Sequence, residues 1–434
     1  VSVQTSSQPG ATANVRIRGI SSFNNVGPLY VIDGLIVNDA SNISPNEIES
    51  MQVLKDASAA AIYGARGANG VILITTKHGK SGKPTLDITA NYSWQQMPSK
   101  IEMMDANQYM KYNELGYINA QIEWPAAANG VVPGYMLANT DWQKAVFQTG
   151  FTQDYNLMYT QGSENIHNAI GGGFLDQEGV IDGPKYKRAT FRVNTDATYG
   201  ILTIGENATF YYTEANPWQG GSFAGALQTP AVTPVYDESN VGGYGHGSSM
   251  FPHYITNPVG NQAAVDARNT SYRLVGNIFA ELKFLKHFTY KFNMGLDAAW
   301  NRNKSLRHYW SLRTNDDTSH KDLLSEATSN RSTFLIENTL TYNQSFDRHN
   351  ITALVGFTAE DVNWHSLGAS IYDQQYDGLA QITLGTTQNN MSGSDEQRRM
   401  ASWLARVDYN YDSRYYLQVN FRSDACSKFG LANR

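Results

Sequence analysis

Gly64, Gly67 and Gly70 punctuate a short stretch much as the glycines of a phosphate-binding loop do, so a nucleotide site is the first chemistry to test. Such a loop needs a strand, then the glycines, then a helix N-terminus whose amides face the anion. Here a helix-compatible stretch precedes the glycines and the β-branched run Val71–Thr76 follows them, so the order is reversed. Gly79-Lys80-Ser81 ends as a P-loop does, but Ile74 stands where the first glycine is required. No HExxH or GxSxG occurs, no Cys or His pair has metal-ligand spacing, and the nine histidines are scattered. Asp316-Asp317 and Asp176-Gln177-Glu178 gather carboxylates without the spaced ligands and turn glycine of a calcium loop, and they read as solvated loop charge. Cys426 is the single cysteine, which excludes an internal disulfide and a multi-cysteine metal site. The sequence therefore predicts no catalytic residue, metal or cofactor, and a protein that is not an enzyme.

Recognition chemistry remains. Phe23 followed by Asn24 and Asn25 pairs an apolar ring with amide donors and acceptors, a combination that suits the CH face and hydroxyls of a sugar. Trp218, Tyr236, Tyr244, His253, Tyr254, Tyr309 and Trp310 lie in polar stretches between regular segments and can extend such a surface. Loop aromatics also pack commonly against neighbouring loops, so each one carries both readings.

Two kinds of element must position these groups. Ser44 as N-cap, Pro45 at the first helical position and Glu47 three residues past the cap predict a short helix. Ile48, Met51 and Gln52 or Leu54 continue it at helical spacing, Ala57 to Ile62 can pack on a sheet, and Gly64 ends it. Val71–Thr76 reads as a strand buried on both faces, which makes residues 1–83 a small α+β unit. Past Lys83 the pattern changes to alternating segments. In 287–300, Phe288, Tyr290, Phe292, Met294, Leu296, Ala298 and Trp300 share one face and polar residues the other. The segment before it repeats the pattern from Tyr272 to Lys283. Similar segments at 85–95, 153–161, 166–175, 187–199, 201–212, 331–343, 349–360, 400–411 and 414–423 bring the total to about eleven. Short joints at Gly200, Asp347-Arg348-His349 and Asp412-Ser413 alternate with long polar insertions at 213–270, 301–330 and 361–399, the rim asymmetry of a transmembrane β-barrel.

Bulk composition agrees. Charged residues make up only 17% of 434 and aromatics 12%, yet no run approaches the 18 apolar residues of a membrane-spanning helix, so a membrane role needs strands. A net charge of −6 with dispersed Lys and Arg argues against nucleic acid. Arg188, Arg192, Arg273, Lys283, Lys291 and Arg422 share faces with polar neighbours and should face a lumen, because a lipid-facing Arg or Lys costs about 2–4 kcal/mol near the midplane.

Five motifs in order, Ile17-Arg18-Gly19, Pro28-Leu29-Tyr30-Val31-Ile32-Asp33-Gly34, Ile48-Glu49-Ser50, Val53-Leu54-Lys55-Asp56 continuing to Tyr63-Gly64, and Arg66-Gly67-Ala68-Asn69-Gly70 continuing to Lys77, resemble the plug domain of SusC/RagA-type TonB-dependent outer-membrane transporters. The resemblance implies a mainly β fold: a plug at 1–83, incomplete at its start, inside an antiparallel transmembrane β-barrel beginning at 84. About eleven of the 22 strands of such barrels would be present. It implies TonB-driven nutrient import across the outer membrane, a SusD-like surface lipoprotein as lid, and oligosaccharide as the favoured cargo. Peptide is the rival within the branch, and siderophore or cobalamin the rival outside it. A secreted glycan-binding β-protein is the competing class. It also implies a latch role for Arg18, with Arg16 and Arg66 as further candidates; Glu206, Glu281 and Glu337 are candidate wall partners. Ligand contacts are expected from the plug apex at Phe23, Asn24 and Asn25 and from the loop aromatics.

Overall fold

The computed structural model describes residues 2–4, 8–17, 27–37, 39–56, 61–123, 138–247, 253–316, 318–319, 322–375 and 379–430. The N-terminal unit contains a ribbon of β1 (Ser2–Gln4) and β2 (Asn14–Arg16). Its main sheet is built from β3 (Leu29–Ile32), β4 (Leu35–Val37), β5 (Ile48–Leu54) and β6 (Val71–Thr76) in the order β4-β3-β6-β5. Asp33 and Gly34, at φ 48° and 84°, form the β3–β4 turn. Two consecutive positive φ values are what a two-residue type I′ hairpin demands, and Asp-Gly tolerates them. Strand β6 is central and buries Val71, Ile72, Ile74 and Thr76, as a continuous β-branched run should.

The helix expected after Ser44 is corrected by the structure. Ser44 does cap a helix, its Oγ accepting from the Asn46 amide at 3.4 Å, but this is a single 3-10 turn, Pro45–Glu47. The chain leaves it extended at Ile48 and pairs antiparallel with β6. Strand β6 needs a partner on that edge, and the Glu47 carboxylate, which would have closed a capping box, is taken by Arg192, far along the chain. Residues 57–60 lie outside the described residues, and a second 3-10 segment, Ala61–Gly67, is broken at Gly64.

The second unit is one antiparallel sheet of eleven strands in strict chain order. They are β7 (Gly82–Gln95), β8 (Gly150–Gly162), β9 (Ile166–Glu178), β10 (Lys185–Tyr199), β11 (Leu202–Asn216), β12 (Val265–Phe284), β13 (Phe288–His308), β14 (Asp322–Phe346), β15 (His349–Gln374), β16 (Gly385–Tyr411) and β17 (Tyr415–Cys426). Each alternating segment of the sequence falls within one strand, to within a residue at its ends. Two of the three polar insertions, 301–330 and 361–399, are largely strand, because β13 continues to His308, β14 starts at Asp322, β15 reaches Gln374 and β16 starts at Gly385, whereas most of 213–270 connects β11 to β12. Charged residues on one face of these extensions and small polar residues on the other hide the alternation while cross-strand pairing still satisfies the backbone.

One rim carries short turns, at 163–165, 200–201, 285–287, 347–348 and 412–414, and the other carries the longer connections. Helices α1 (Ala106–Asn119), α2 (Trp142–Val146), α3 (Ser222–Gln228) and α4 (Pro258–Ala263) lie at that longer-loop rim. No helix among the described residues is long and apolar enough to cross a membrane.

Register separates two faces. The outer face aligns Phe191, Phe210, Leu274 and Ala298 across successive strands, with Phe191 and Phe210 exposed. Tyr212, Tyr272 and Trp300 form one aromatic level toward the long-loop rim, and Phe284, Phe288 and Tyr342 form another at the short turns. Beyond the upper level come ion pairs, Arg268–Glu214 at 2.5 Å and Arg302–Glu326 at 3.4 Å. An apolar band between aromatic girdles is the outer surface of a membrane barrel. The inner face packs on the N-terminal unit, and a shared core joins Ile32, Leu35, Val37, Ile43, Ile72 and Ile74 to Tyr211, Val275 and Leu335 of the wall. Arg188, Arg192, Arg273, Lys283, Lys291 and Arg422 all lie on this inner face by register.

Candidate functional site

The contact between the N-terminal unit and the wall concentrates the molecule's buried charge. Glu47, set by the 3-10 turn, accepts from the Nη2 of Arg192 on β10 at 3.0 Å, with only 5% and 2% of the two side chains exposed. Thr190, two residues along the same inner face, donates to the other carboxylate oxygen at 3.2 Å. A buried pair costs desolvation that only good geometry and further hydrogen bonds offset, so its main effect is to penalise any state in which one partner is left alone.

The β3–β4 turn forms a second contact. Asp33 accepts from the Thr76 amide at 2.9 Å and the Thr76 hydroxyl at 2.7 Å, which ties the turn to the end of β6. From the wall, Asn194 donates to Thr76 Oγ1 and to the Lys77 carbonyl, both at 2.9 Å. Burial opposes charge on Asp33, but the His78 imidazole 3.9 Å away and the hydrogen bonds from Thr76 outweigh it and hold the carboxyl below its usual range. The same closeness to the Asp33 carboxylate raises His78 above its ordinary value against the effect of burial. Nearby, Arg273 makes a bidentate pair with Asp297, at 2.8 Å twice, and spends its remaining fork on the Asp39 carbonyl at 3.1 Å.

The third contact has a different construction. Arg66 donates to Glu360 on β15 at 2.7 Å, and Arg398 on β16 donates to the other oxygen of Glu360, also at 2.7 Å. One wall carboxylate thus serves one cation from each unit. Arg422 on β17 donates to the Ile62 carbonyl and, at 3.0 Å, to Ser402.

Of the arginines singled out from sequence, Arg66 meets the wall. Arg16 ends β2 half-buried and makes no ion pair among the described residues, and Arg18 lies outside them, as do Phe23, Asn24 and Asn25. The suggested wall partners need correction. Glu206 aligns with Thr195 and Ile278 on the outer face, because it shares parity with Ile204 and Ala208. Glu281 faces inward but pairs with Lys283 at 3.3 Å. Glu337 faces inward near Tyr63, and no ion pair joins it to the N-terminal unit among the described residues. Glu360, the observed partner, is readable as a carboxylate on the inward parity of an apolar strand. Glu47 and Asp33 carry no such signal, since their partners are distant in sequence.

The loop aromatics divide. His308, Trp310 and Tyr244 stack with centroids 5.1 and 5.5 Å apart in turn, and Tyr236 continues the row 5.4 Å from Tyr244 with its ring tilted by 42°. Tyr236 is 66% exposed at its end. Tyr309 meets Tyr372 edge-on at 5.7 Å. Trp218 donates to Ser222 at 3.3 Å and, with Phe147 and Phe223, lines a cavity of about 830 Å³ that also touches Gln8 and Pro9 of the N-terminal unit. His253 is held by Thr233 at 3.0 Å, and Tyr254 is exposed. The acidic groups are locally satisfied: Asp176 by Lys187, Glu178 by Lys185, and Asp316 by Arg313 and its own loop amides. Asp317 lies outside the described residues.

Residues 1–71 match the TonB-dependent receptor plug domain family. The chain is 30% identical to TonB-dependent receptor P3 of Formosa agariphila, over 98% of this chain and 42% of that protein. It is 28% identical to TonB-dependent receptor SusC of Bacteroides thetaiotaomicron, over 98% of this chain and 44% of the relative. Among solved structures, the RagAB peptide transporter superposes with a TM-score of 0.86 at 26% identity, covering 100% of this chain and 53% of that one. The unliganded ferric citrate transporter FecA, at TM-score 0.53 and 10% identity over 92% of this chain and 50% of its own, shares the fold alone. The chain thus spans about half the length of its relatives or less.

Proposed function

Because this chain belongs to the SusC/RagA-type TonB-dependent receptors, we propose that the complete transporter imports a nutrient actively across the bacterial outer membrane, with the N-terminal unit as a plug that TonB pulls aside. The observation that supports this most is the seating of that unit on the inner wall through separable charged contacts, Glu47–Arg192 and Arg66–Glu360, around a small shared core. A permanently seated domain would gain more from apolar contact, which is often the more stable replacement for a buried pair. We take residues 1–83 as plug and 84 onward as wall; β7 begins at Gly82. The protein transports its cargo and does not convert it.

Oligosaccharide is our preferred cargo, supported by the aromatic row from His308 to Tyr236 and by Trp218 in a cavity that touches the plug. Ring faces stack on sugars. Tyr309 and Trp310 are proposed as contacts too, and Phe23, Asn24 and Asn25, outside the described residues, are proposed from their chemistry alone. Peptide is the second reading, supported by the likeness to the RagAB peptide transporter. Siderophore or cobalamin uptake has weaker support, since FecA shares only the fold. A secreted glycan-binding protein would leave the outward apolar band and the plug without a role. A SusD-like lipoprotein as lid would sit over the long-loop rim, where α1 exposes Tyr112, Leu115 and Ile118. Growth of a deletion strain and its complemented parent on a glycan panel and on peptides tests the cargo. Loss of growth on one or more glycans is expected, and loss on peptides alone would overturn the choice.

A further inference from the structure

Above the plug contacts, the inner wall from β11 to β16 is free of charge over several successive rows of the described residues. The row of Arg273 aligns Tyr211, Arg273, Ala299, Arg331, Trp364 and Glu396. Two residues toward the long-loop rim, the same strands present Thr213, Ser271, Asn301, Ser329, Ser366 and Ser394. The next row presents Ala215, Asn269, Asn303, Ala327, Gly368 and Ser392, and the next Ala267, Ser305, Ser325, Ser370 and Asn390. Charge returns only with Arg307, in the row of Val265 and Leu323. On the flanking strand β10, Arg188 borders the strip beside Thr213.

These stretches of strand are not poor in charge. Their outer face carries Glu214, Arg268, Arg302, Lys304 and Glu326, paired among themselves. Charge is therefore sorted outward, and hydroxyls, amides and small residues inward. From Ala299 to Arg307 the strip runs roughly 27 Å along β13, and across its strands roughly 24 Å. Its middle stands roughly 13 Å from either bounding row and roughly 17 Å from Arg188, beyond a Debye length of about 8 Å at physiological ionic strength. An anionic group there would find no cation within reach on the inner face of this wall to replace lost hydration, since Arg302 and Lys304 are turned to the outer face and paired with Glu326. Ser, Thr and Asn both donate and accept, as sugar hydroxyls do, and each such bond is worth only about 0.5–1.5 kcal/mol, so cargo can exchange contacts as it moves.

Resting on the glycan reading above, we propose that this strip selects for uncharged glycans and against carboxylated or sulfated ones of the same length. The test uses cells carrying the full-length transporter, a neutral glycan identified by the growth panel, and its carboxymethylated derivative as probe. Wild-type uptake of the derivative should be at least tenfold slower. Ser329→Lys with Ser366→Lys, neighbours in register, should raise the rate ratio of carboxymethylated to neutral probe at least fivefold at equal outer-membrane abundance. If that double variant does not reach the membrane, Asn303→Lys is read for the same ratio. Equal wild-type uptake of the two probes, or a ratio unmoved by the lysines, would overturn the selectivity and leave glycan import standing. Uptake of peptides and of no glycan would instead remove the reading on which it rests.

Discussion

Glu47→Ala should loosen the plug far more than Arg66→Ala, although both remove a plug residue paired with the wall. The Glu47 and Arg192 side chains are 5% and 2% exposed, and the Nε and Nη1 of Arg192 have no other partner among the described residues. Removing one member of such a buried pair costs about 3–5 kcal/mol, because the other charge is left uncompensated. Arg66 is 24% exposed, and without it Glu360 keeps Arg398 at 2.7 Å. Its loss should cost roughly 1–1.5 kcal/mol. A difference of about 1.5–4 kcal/mol separates the two variants by roughly 10- to 900-fold in the ratio of released to seated plug. Hydrogen exchange of the β6 and β3 amides in the full-length protein measures that opening directly, and entry of a large antibiotic into cells lacking TonB reads it as leak. Glu47→Leu with Arg192→Leu, which removes both charges, should return most of the protection. If Arg66→Ala opens the plug as readily as Glu47→Ala, the distinction between an isolated pair and a shared carboxylate is refuted.

Further outcomes follow from other contacts. A Cβ on Gly295 of β13 would stand 2.3 Å from Leu35 of the plug core, so Gly295→Val should destabilise plug seating by about 1–3 kcal/mol, visible in the same exchange experiment. The raised His78 contributes stability that is fully present below the ordinary histidine pKa and is lost as pH rises through its own higher value. The lowered Asp33 contributes above the ordinary carboxylate pKa and is lost as pH falls through its own lower value. Exchange of β6 amides should therefore quicken as pH rises from the window between those ordinary values, beyond the intrinsic rate change, and His78→Gln should abolish the extra dependence. Phe210→Arg, on the outward band, should cost about 2–4 kcal/mol and lower outer-membrane abundance, whereas Ser271→Arg, facing inward, should leave abundance unchanged. Trp310→Ala should weaken cargo binding to cells by about 2- to 10-fold, equivalent to about 0.5–1.5 kcal/mol of aromatic contact.

The wall is legible in the sequence because each lipid-facing strand must alternate: parity alone assigns Phe288 to Trp300 to one face, and β13 keeps that assignment. The same rule places Glu206 outward with Ile204 and Ala208. Where β13 to β16 rise beyond the apolar band, both faces are polar and the period vanishes, so strand looks like loop. The turn at Pro45–Glu47 shows the opposite failure: its local signals for a helix are present, but the needs of β6 and of Arg192 prevail. Long-range pairs such as Glu47 with Arg192 leave no trace in spacing. Arg66 stands out because its motif resembles a family's, and strand parity turns Glu360 inward, yet that the two meet emerges only from the packing of one unit on the other.

The most direct test of the central proposal is accumulation of a fluorescent derivative of the growth-supporting cargo in cells carrying the full-length transporter, with and without TonB. Deleting TonB or collapsing the proton gradient should abolish accumulation while surface binding persists. Accumulation that continues undiminished without TonB would contradict the proposal that this plug is pulled open by an energised partner.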